Sequence, residues 1–238
     1  MSAVVDLGHR GYDEAYEIQA LLAERVKAGE IDHTLLFVEH DPVLTLGANF
    51  HEENLLFTRT QYEAEGIQIA RTDRGGDVTF HGPRQLVIYP IFDVSRLGKD
   101  LHKWLRDLEE TIISVLAELE LDGYRFPPHT GVWVRRRKVA AIGIKISRWV
   151  SMHGIALNCD NDLSPFGMIV PCGIQGHGVT SLSNEAGKEI TIEDAKPLVL
   201  RAFQKVFGLT FKPAELSELM DEESAETTEA FSRRSRTG

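Results

Sequence analysis

VWVRRRKVAAIGIKISRWVSMHGIAL, residues 132–157, is the stretch that decides the fold. It holds three apolar runs, Val132 to Val134, Val139 to Ile146 and Val150 to Leu157. Short polar clusters, RRRK at 135–138 and SRW at 147–149, separate them. Runs of this length, rich in β-branched residues and broken by brief polar turns, predict strands that follow one another directly.

Outward from this core, helical patterns alternate with further strands. Leu101, Leu105, Leu108, Ile112, Val115, Leu116 and Leu119 make one apolar stripe and predict a helix over 100–120. Tyr12, Tyr16, Gln19, Leu22 and Val26 predict another over 12–28. Thr34 to Val38, Ile67 to Arg71 and Leu86 to Phe92 read as strands, with HDPVLTLG (40–47) as a loop. Loops are expected from Asn158 to Ser183. A last helix is expected over Ile192 to Phe207, its start drawn toward Pro197, which is ill-suited to a helix interior. Successive strands beside interleaved helices predict an α+β fold, a mixed β-sheet flanked by helices. No internal repeat is present.

The 238 residues suffice for one sizeable core. Hydrophobic content of 42% and charged content of 26% are ordinary for a globular chain. Two cysteines cannot build a disulfide framework, so the reading is intracellular, in the cytoplasm. The N-terminus lacks a basic segment followed by an apolar one, and no window approaches the length of a membrane span. The net charge is −10, of which residues 213–238 carry −4 through seven acidic residues and three arginines. A body without global basic character disfavours nucleic-acid binding. Residues 1–212 are expected to form one domain and 213–238 an acidic tail, disordered beyond about residue 220. With no apolar stripe left over, a monomer is expected.

Three constellations carry chemistry. RGGDVTFHGPRQ (74–85) combines the Gly75–Gly76 pair, which lets a ligand approach the main chain, with the Arg74 cation and the His81 imidazole. It reads either as a slot whose N–H groups face a carbonyl, or as a tight turn with a charged rim. No GxxxxGK[ST] pattern accompanies it. RRRKVAAIGIKI (135–146) places a basic turn before a strand of small residues, Ala140, Ala141 and Gly143, which leaves room for a slender apolar ligand. Lys138 sits where polar turn meets apolar strand. PCGIQGHGVTSL (171–182) presents Cys172 between Pro171 and Gly173, and a thiol so placed is a nucleophile if a cation lowers its pKa. Cys159 reads as a small packing residue. Cys159, Cys172, His153 and His177 lack the spacings of a zinc site. Spacing alone leaves His81, His153, His177 and Lys138 open as partners of Cys172.

Together RGGDVTFHGP (74–83), KVAAIG (138–143), HGIALN (153–158), PCGI (171–174) and VTSL (179–182) resemble the lipoyl(octanoyl) transferase family in order and spacing. YDEAYEIQ, VEHDPVLTLG and ENLL extend the resemblance to about residues 5–210. Ala48 and Arg84 depart from the arginine and glycine the family often carries there. The resemblance implies the fold of biotin and lipoate protein ligases. It implies Cys172 as the acyl-thioester nucleophile and Lys138 as the partner lowering its pKa. It implies acyl-binding segments at Arg74, Gly75, Gly76, Asp77, Val78, Thr79, Phe80 and His81, at Ala141, Ile142 and Gly143, and at His153, Gly154, Ile155 and Ala156. The implied donor is octanoyl-acyl carrier protein. The implied acceptors are lipoyl domains of 2-oxoacid dehydrogenases and glycine-cleavage H protein, with no metal and no ATP. Arg135 to Arg137 are expected to help dock the acidic carrier. An ATP-dependent lipoate ligase of the same fold, a silent acyl-binding module and a Cys–His thiol hydrolase are the competing readings.

Overall fold

A computed structural model describes residues 1–170 and 177–220. The strands are β1 (Ser2–Arg10), β2 (Thr34–His40), β3 (Val43–Leu46), β4 (Gln68–Arg71), β5 (Val78–His81) and β6 (Gln85–Ile91), then β7 (Tyr124–Phe126), β8 (His129–Val134), β9 (Arg137–Ser147), β10 (Val150–Asn158) and β11 (Phe211–Pro213). The helices are α1 (Tyr12–Ala28), α2 (Arg59–Ala64), α3 (Leu101–Glu118), α4 (Leu182–Ala186) and α5 (Ile192–Phe207).

Eight strands form one mixed sheet in the order β11-β1-β2-β6-β10-β9-β8-β7. β1 runs parallel to β2 and β11, and the remaining pairs are antiparallel. Alternation sorts the side chains. Leu35, Phe37, Leu86, Ile88, Ile155 and Leu157 pack under α3 and α5, while Leu36, Val38, Val87 and Tyr89 pack under α1. Burial of both faces is why these strands read as continuous apolar runs. The architecture is the expected α+β.

The stretch 132–157 forms the meander β8-β9-β10. Its turns are Arg135–Arg136, at φ +46° and +67°, and Arg148–Trp149, at φ +49° and +70°. Two-residue hairpin loops with both φ positive match the twist of the flanking strands, even without glycine.

A smaller sheet, β4-β3-β5, carries its own core of Leu44, Leu46, Tyr62, Val78 and Phe80. Here the structure corrects the sequence reading. HDPVLTLG is not a loop, since β3 occupies four of its residues. The RGG constellation is a loop leading into β5, rather than only a turn.

Two further corrections concern the C-terminal part. α5 starts at Ile192, not near Pro197, because Thr191 and Asp194 form a reciprocal cap. Beyond residue 212, β11 pairs with β1, and Ala214, Leu216 and Leu219 pack beneath α1. The packed body therefore runs to residue 220; the tail beyond it lies outside the described residues. Among the described residues no helix is long and apolar enough to cross a membrane.

Pro197 sits in the second turn of α5 and denies the Glu193 carbonyl its helical donor. Replacing it with alanine restores that bond and relieves the ring clash, offset by a more flexible unfolded chain. Pro197→Ala is expected to stabilise by about 1–2 kcal/mol and raise the thermal midpoint by about 3–6 °C in a calorimetric scan.

Candidate active site

Between the small sheet and the α1 face of the large sheet lies a cleft of about 470 Å3. Its walls come from the Arg74–Gly76 loop, from Thr79 and His81 of β5, from Ala141 to Gly143 of β9 and from His153 to Ala156 of β10. Tyr12, Val87 and Tyr89 complete it. Asp77, Val78 and Phe80, expected in the acyl site, do not line it. Along β5 the odd residues Thr79 and His81 face the cleft, while Val78 and Phe80 enter the core of the small sheet. Asp77 turns to the neighbouring loop, where it accepts from Asn54 Nδ2 at 2.6 Å and from the Val78 N–H at 2.7 Å.

The loop is pinned by its own arginine. Arg74 Nη2 donates to the Thr45 carbonyl at 2.6 Å and to the Asp77 carbonyl at 2.8 Å, and Nε donates to Thr45 Oγ1 at 3.1 Å. The Gly75 N–H donates to the Ile144 carbonyl at 2.9 Å, laying the loop across β9. Three glycines permit this approach. A Cβ on Gly143 would lie 2.8 Å from the Gly75 oxygen, and one on Gly47 would lie 2.3 Å from the Gly76 oxygen. Gly76 itself has φ +92°. The small residue at 143 therefore makes room for the loop more than for a ligand. Gly154 likewise lets β10 pass β6, since its Cβ would meet the Ile88 oxygen at 2.2 Å.

The hydrogen bonds assign the histidine protons. Gln85 Nε2 donates to the Phe80 carbonyl at 3.2 Å, so Gln85 Oε1 must accept from His81 Nδ1 at 2.9 Å. His81 Nε2 is then an acceptor, facing Thr45 Oγ1 at 3.4 Å. His40 Nδ1 donates to the Arg10 carbonyl at 2.8 Å, and its Nε2 accepts from the Tyr89 hydroxyl at 2.8 Å. Burial, reinforced by the nearby His40, depresses His81 to about 3, and burial depresses His40 to about 4. Both are neutral positioning groups.

His153 closes one end of the cleft. By alternation with Ile155 and Leu157 it would face α3. A left-handed φ of +57° instead turns the ring to the other face. There it lies against Tyr16 and bonds Asp73 Oδ1 at 2.8 Å. Burial lowers its pKa despite that carboxylate. Burial also pushes the Asp73 carboxyl up, but Lys145, His153 and Tyr16 outweigh it and hold it at about 2.

Lys138 is buried, at 8% exposure. Its ammonium lies 5.1 Å from the centre of the Trp133 ring, and its stem crosses Gly131, whose Cβ would meet Lys138 Cε at 3.4 Å. Cys172 lies outside the described residues. The chain on either side of it is described. The Val170 N–H donates to the Asn54 carbonyl at 2.9 Å. On the far side, His177 packs on Trp133, the Gly178 carbonyl accepts from Lys138 N, and Thr180 N donates to the Lys138 carbonyl. Cys159 is fully buried, and burial pushes its thiol up to about 12, as befits a packing residue. Tyr12, Thr45, Gly47 and Tyr89 were missed from the sequence. Only Gly47, ending an apolar run, gave a local signal.

Residues 11–204 match the model of the lipoyl protein ligase A/B catalytic domain. The chain is 46% identical over 201 residues to an octanoyltransferase of Geotalea uraniireducens, covering 84% of this chain and 91% of the relative. It is 44% identical over 209 residues to an octanoyltransferase of Chloroflexus aggregans, covering 87% and 95%. The chain belongs to the lipoyl(octanoyl) transferase family. It is an enzyme of the acyltransferase class. In fold it resembles a lipoate-protein ligase A solved with ATP, at a TM-score of 0.74 and 15% identity over 97% of this chain and 94% of that one. It equally resembles the bipartite lipoate protein ligase of Thermoplasma acidophilum, at 0.74 and 14% over 96% and 91%.

Two outcomes are expected. Gly143→Ala presses on the Gly75 carbonyl and should displace the loop, costing about 1–3 kcal/mol of stability in urea titration and weakening acyl binding with it. For the histidines, folded pKa values lie below the unfolded value of about 6.5, so protons favour the unfolded chain. Stability should be level above pH 6.5 and fall as pH drops below it, by about 2 kcal/mol for each of His40 and His81 at pH 5. His81→Asn should show a shallower loss than the parent in the same titrations.

Proposed function

We propose that this enzyme moves an octanoyl or lipoyl group from acyl carrier protein to a lysine of lipoyl-dependent enzyme domains, through a thioester on Cys172. The observation that carries this is the contact between Lys138 and the chain just after the Cys172 loop, beside a cleft walled by small residues. Two backbone hydrogen bonds join Lys138 to Gly178 and Thr180. Ala141 and Ala156 line the adjoining wall with Thr79 and Lys138.

In the first step the Cys172 thiolate, stabilised by the Lys138 ammonium, attacks the octanoyl carbonyl carbon. A carbon–sulfur bond forms to Cys172, and the one to the carrier breaks. The departing thiolate takes a proton from the Lys138 ammonium. In the second step the acceptor lysine amine attacks the acyl-enzyme, Lys138, left as a neutral amine by the first step, takes the proton that the attacking nitrogen loses, an amide forms, and Cys172 leaves as thiolate beside the restored ammonium. Thioester exchange is nearly balanced and amide formation runs downhill, so neither ATP nor a metal is needed. The Gly76 N–H, which donates to none of the described residues, is suited to the tetrahedral oxyanion. Acceptors would be lipoyl domains of 2-oxoacid dehydrogenases and glycine-cleavage H protein, met in the cytoplasm.

The basic turn contributes less to carrier docking than its composition suggests. Arg137 pairs with the fully buried Glu185 at 2.5 Å, and Arg135 approaches the same carboxylate at 3.6 Å. Of the three, docking falls chiefly to Arg136.

Intact mass spectrometry after incubation with octanoyl-acyl carrier protein, without ATP, tests the reading. One octanoyl group should be gained, lost to hydroxylamine, absent in Cys172→Ser and at least about 100-fold slower to form in Lys138→Ala. A requirement for ATP and free octanoate would establish the ligase reading instead.

A further inference from the structure

A second cavity, of about 710 Å3 and open to solvent, adjoins the acyl cleft. It shares Gly75, Gly76, Ile142 and Gly143 with the cleft, so the two meet at the seam where the loop crosses β9. Its other walls are Leu105 of α3, Pro128 before β8, His129 and Thr130 of β8, Ile144 and Lys138. Lys138 is absent from the walls of the acyl cleft itself and present in those of this cavity.

Resting on the reading that the donor is a carrier-bound thioester, we propose that this cavity holds the donor's pantetheine arm. The argument starts at the reacting carbon. An acyl tail in the first cleft must leave its carbonyl near Lys138, and the leaving sulfur must then lie on the side of the carbonyl away from the tail. The departing thiolate takes a proton from Lys138, which requires the sulfur to be within reach of that ammonium. Two spaces adjoin both the cleft and Lys138, and of these the second cavity is the roomier and the one bounded by the seam. Its lining suits the arm, a flexible chain of two amides and a branched aliphatic end. Leu105, Pro128, Ile142 and Ile144 supply apolar walls. Thr130 and His129 supply polar groups within the same cavity. The cavity has an open mouth, so an arm tethered to a protein outside can enter while the carrier remains on the surface.

The test compares two small donors with the same acyl group and leaving-thiol chemistry, octanoyl-pantetheine and octanoyl-N-acetylcysteamine. Both are thioesters of an N-acylated cysteamine, so their intrinsic reactivity is equal and only the length of the arm differs. Acyl-enzyme formation by the full chain is followed by intact mass. The kcat/KM ratio, longer over shorter donor, should exceed about tenfold in the parent enzyme. Thr130→Trp, which fills the cavity, and Leu105→Asp, which makes its apolar wall charged, should each lower that ratio at least fivefold. Thermal scans check that both variants fold. A parent ratio near one overturns the proposal without any variant, and so does a parent ratio that both folded variants leave unchanged. Should the variants instead slow only transfer from preformed acyl-enzyme to a lipoyl domain, the cavity belongs to the acceptor and the proposal fails. If neither donor acylates Cys172 and ATP with octanoate is required, the donor reading itself has failed, an outcome distinct from the others.

Discussion

The guanidinium of Arg74 is the constraint on which the cleft depends. One side chain donates to carbonyls at Thr45, Gly75 and Asp77, and so ties β3 to both sides of its own loop. A planar fork with several fixed donors can bind three carbonyls at once; a lysine ammonium offers neither the plane nor the reach. With the loop fixed, the Gly75 N–H meets β9, and the small sheet becomes a rigid second wall opposite the large one. The glycines at 47 and 143 are the steric complement of that clamp. Each sits where a methyl group would collide with loop backbone.

The same logic shows what could be read from the sequence. The meander and the long helices were legible because each repeats its pattern over several turns or strands. α1 begins at Tyr12 and ends at Ala28, as the spacing predicts, and α3 keeps its stripe. β3 and β5 were not legible, because Pro42 and Gly47 around the one and Gly75, Gly76 and Gly82 around the other read as turn signals, and their neighbours in space are distant in sequence. The site was half legible. Gly75, Gly76, Ala141 and Gly143 announced a close backbone approach, but residue type could not say whether it was made to a ligand or to other backbone. At Gly143 it is to the Gly75 loop. The family resemblance singled out Lys138; no spacing rule separates it from three histidines.

Two of those histidines, His81 and His153, fall into place with their neighbour His40 once their partners are known. His81 and His40 each give a proton to a fixed acceptor and keep the other nitrogen for a hydroxyl. His153 is held to the Asp73 carboxylate. None has the exposure and free donor geometry that a mobile proton carrier needs, and desolvation opposes charging each of them.

A chain of side-chain amides connects the two halves of the site. His81 bonds Gln85, Gln85 Nε2 donates to Asn158 Oδ1 at 2.9 Å, and Asn158 Nδ2 donates to the Thr180 carbonyl at 2.9 Å. Thr180 is also paired through its backbone to Lys138, and through its hydroxyl to Glu185 at 2.6 Å. Each amide is oriented by an acceptor that cannot donate, so a change at one member leaves a buried polar group unsatisfied in the next. The wall of the cleft and the Val179–Leu182 segment are thus registered to one another through three buried side chains, and the backbone pairing of Gly178 and Thr180 with Lys138 extends that registration to the lysine.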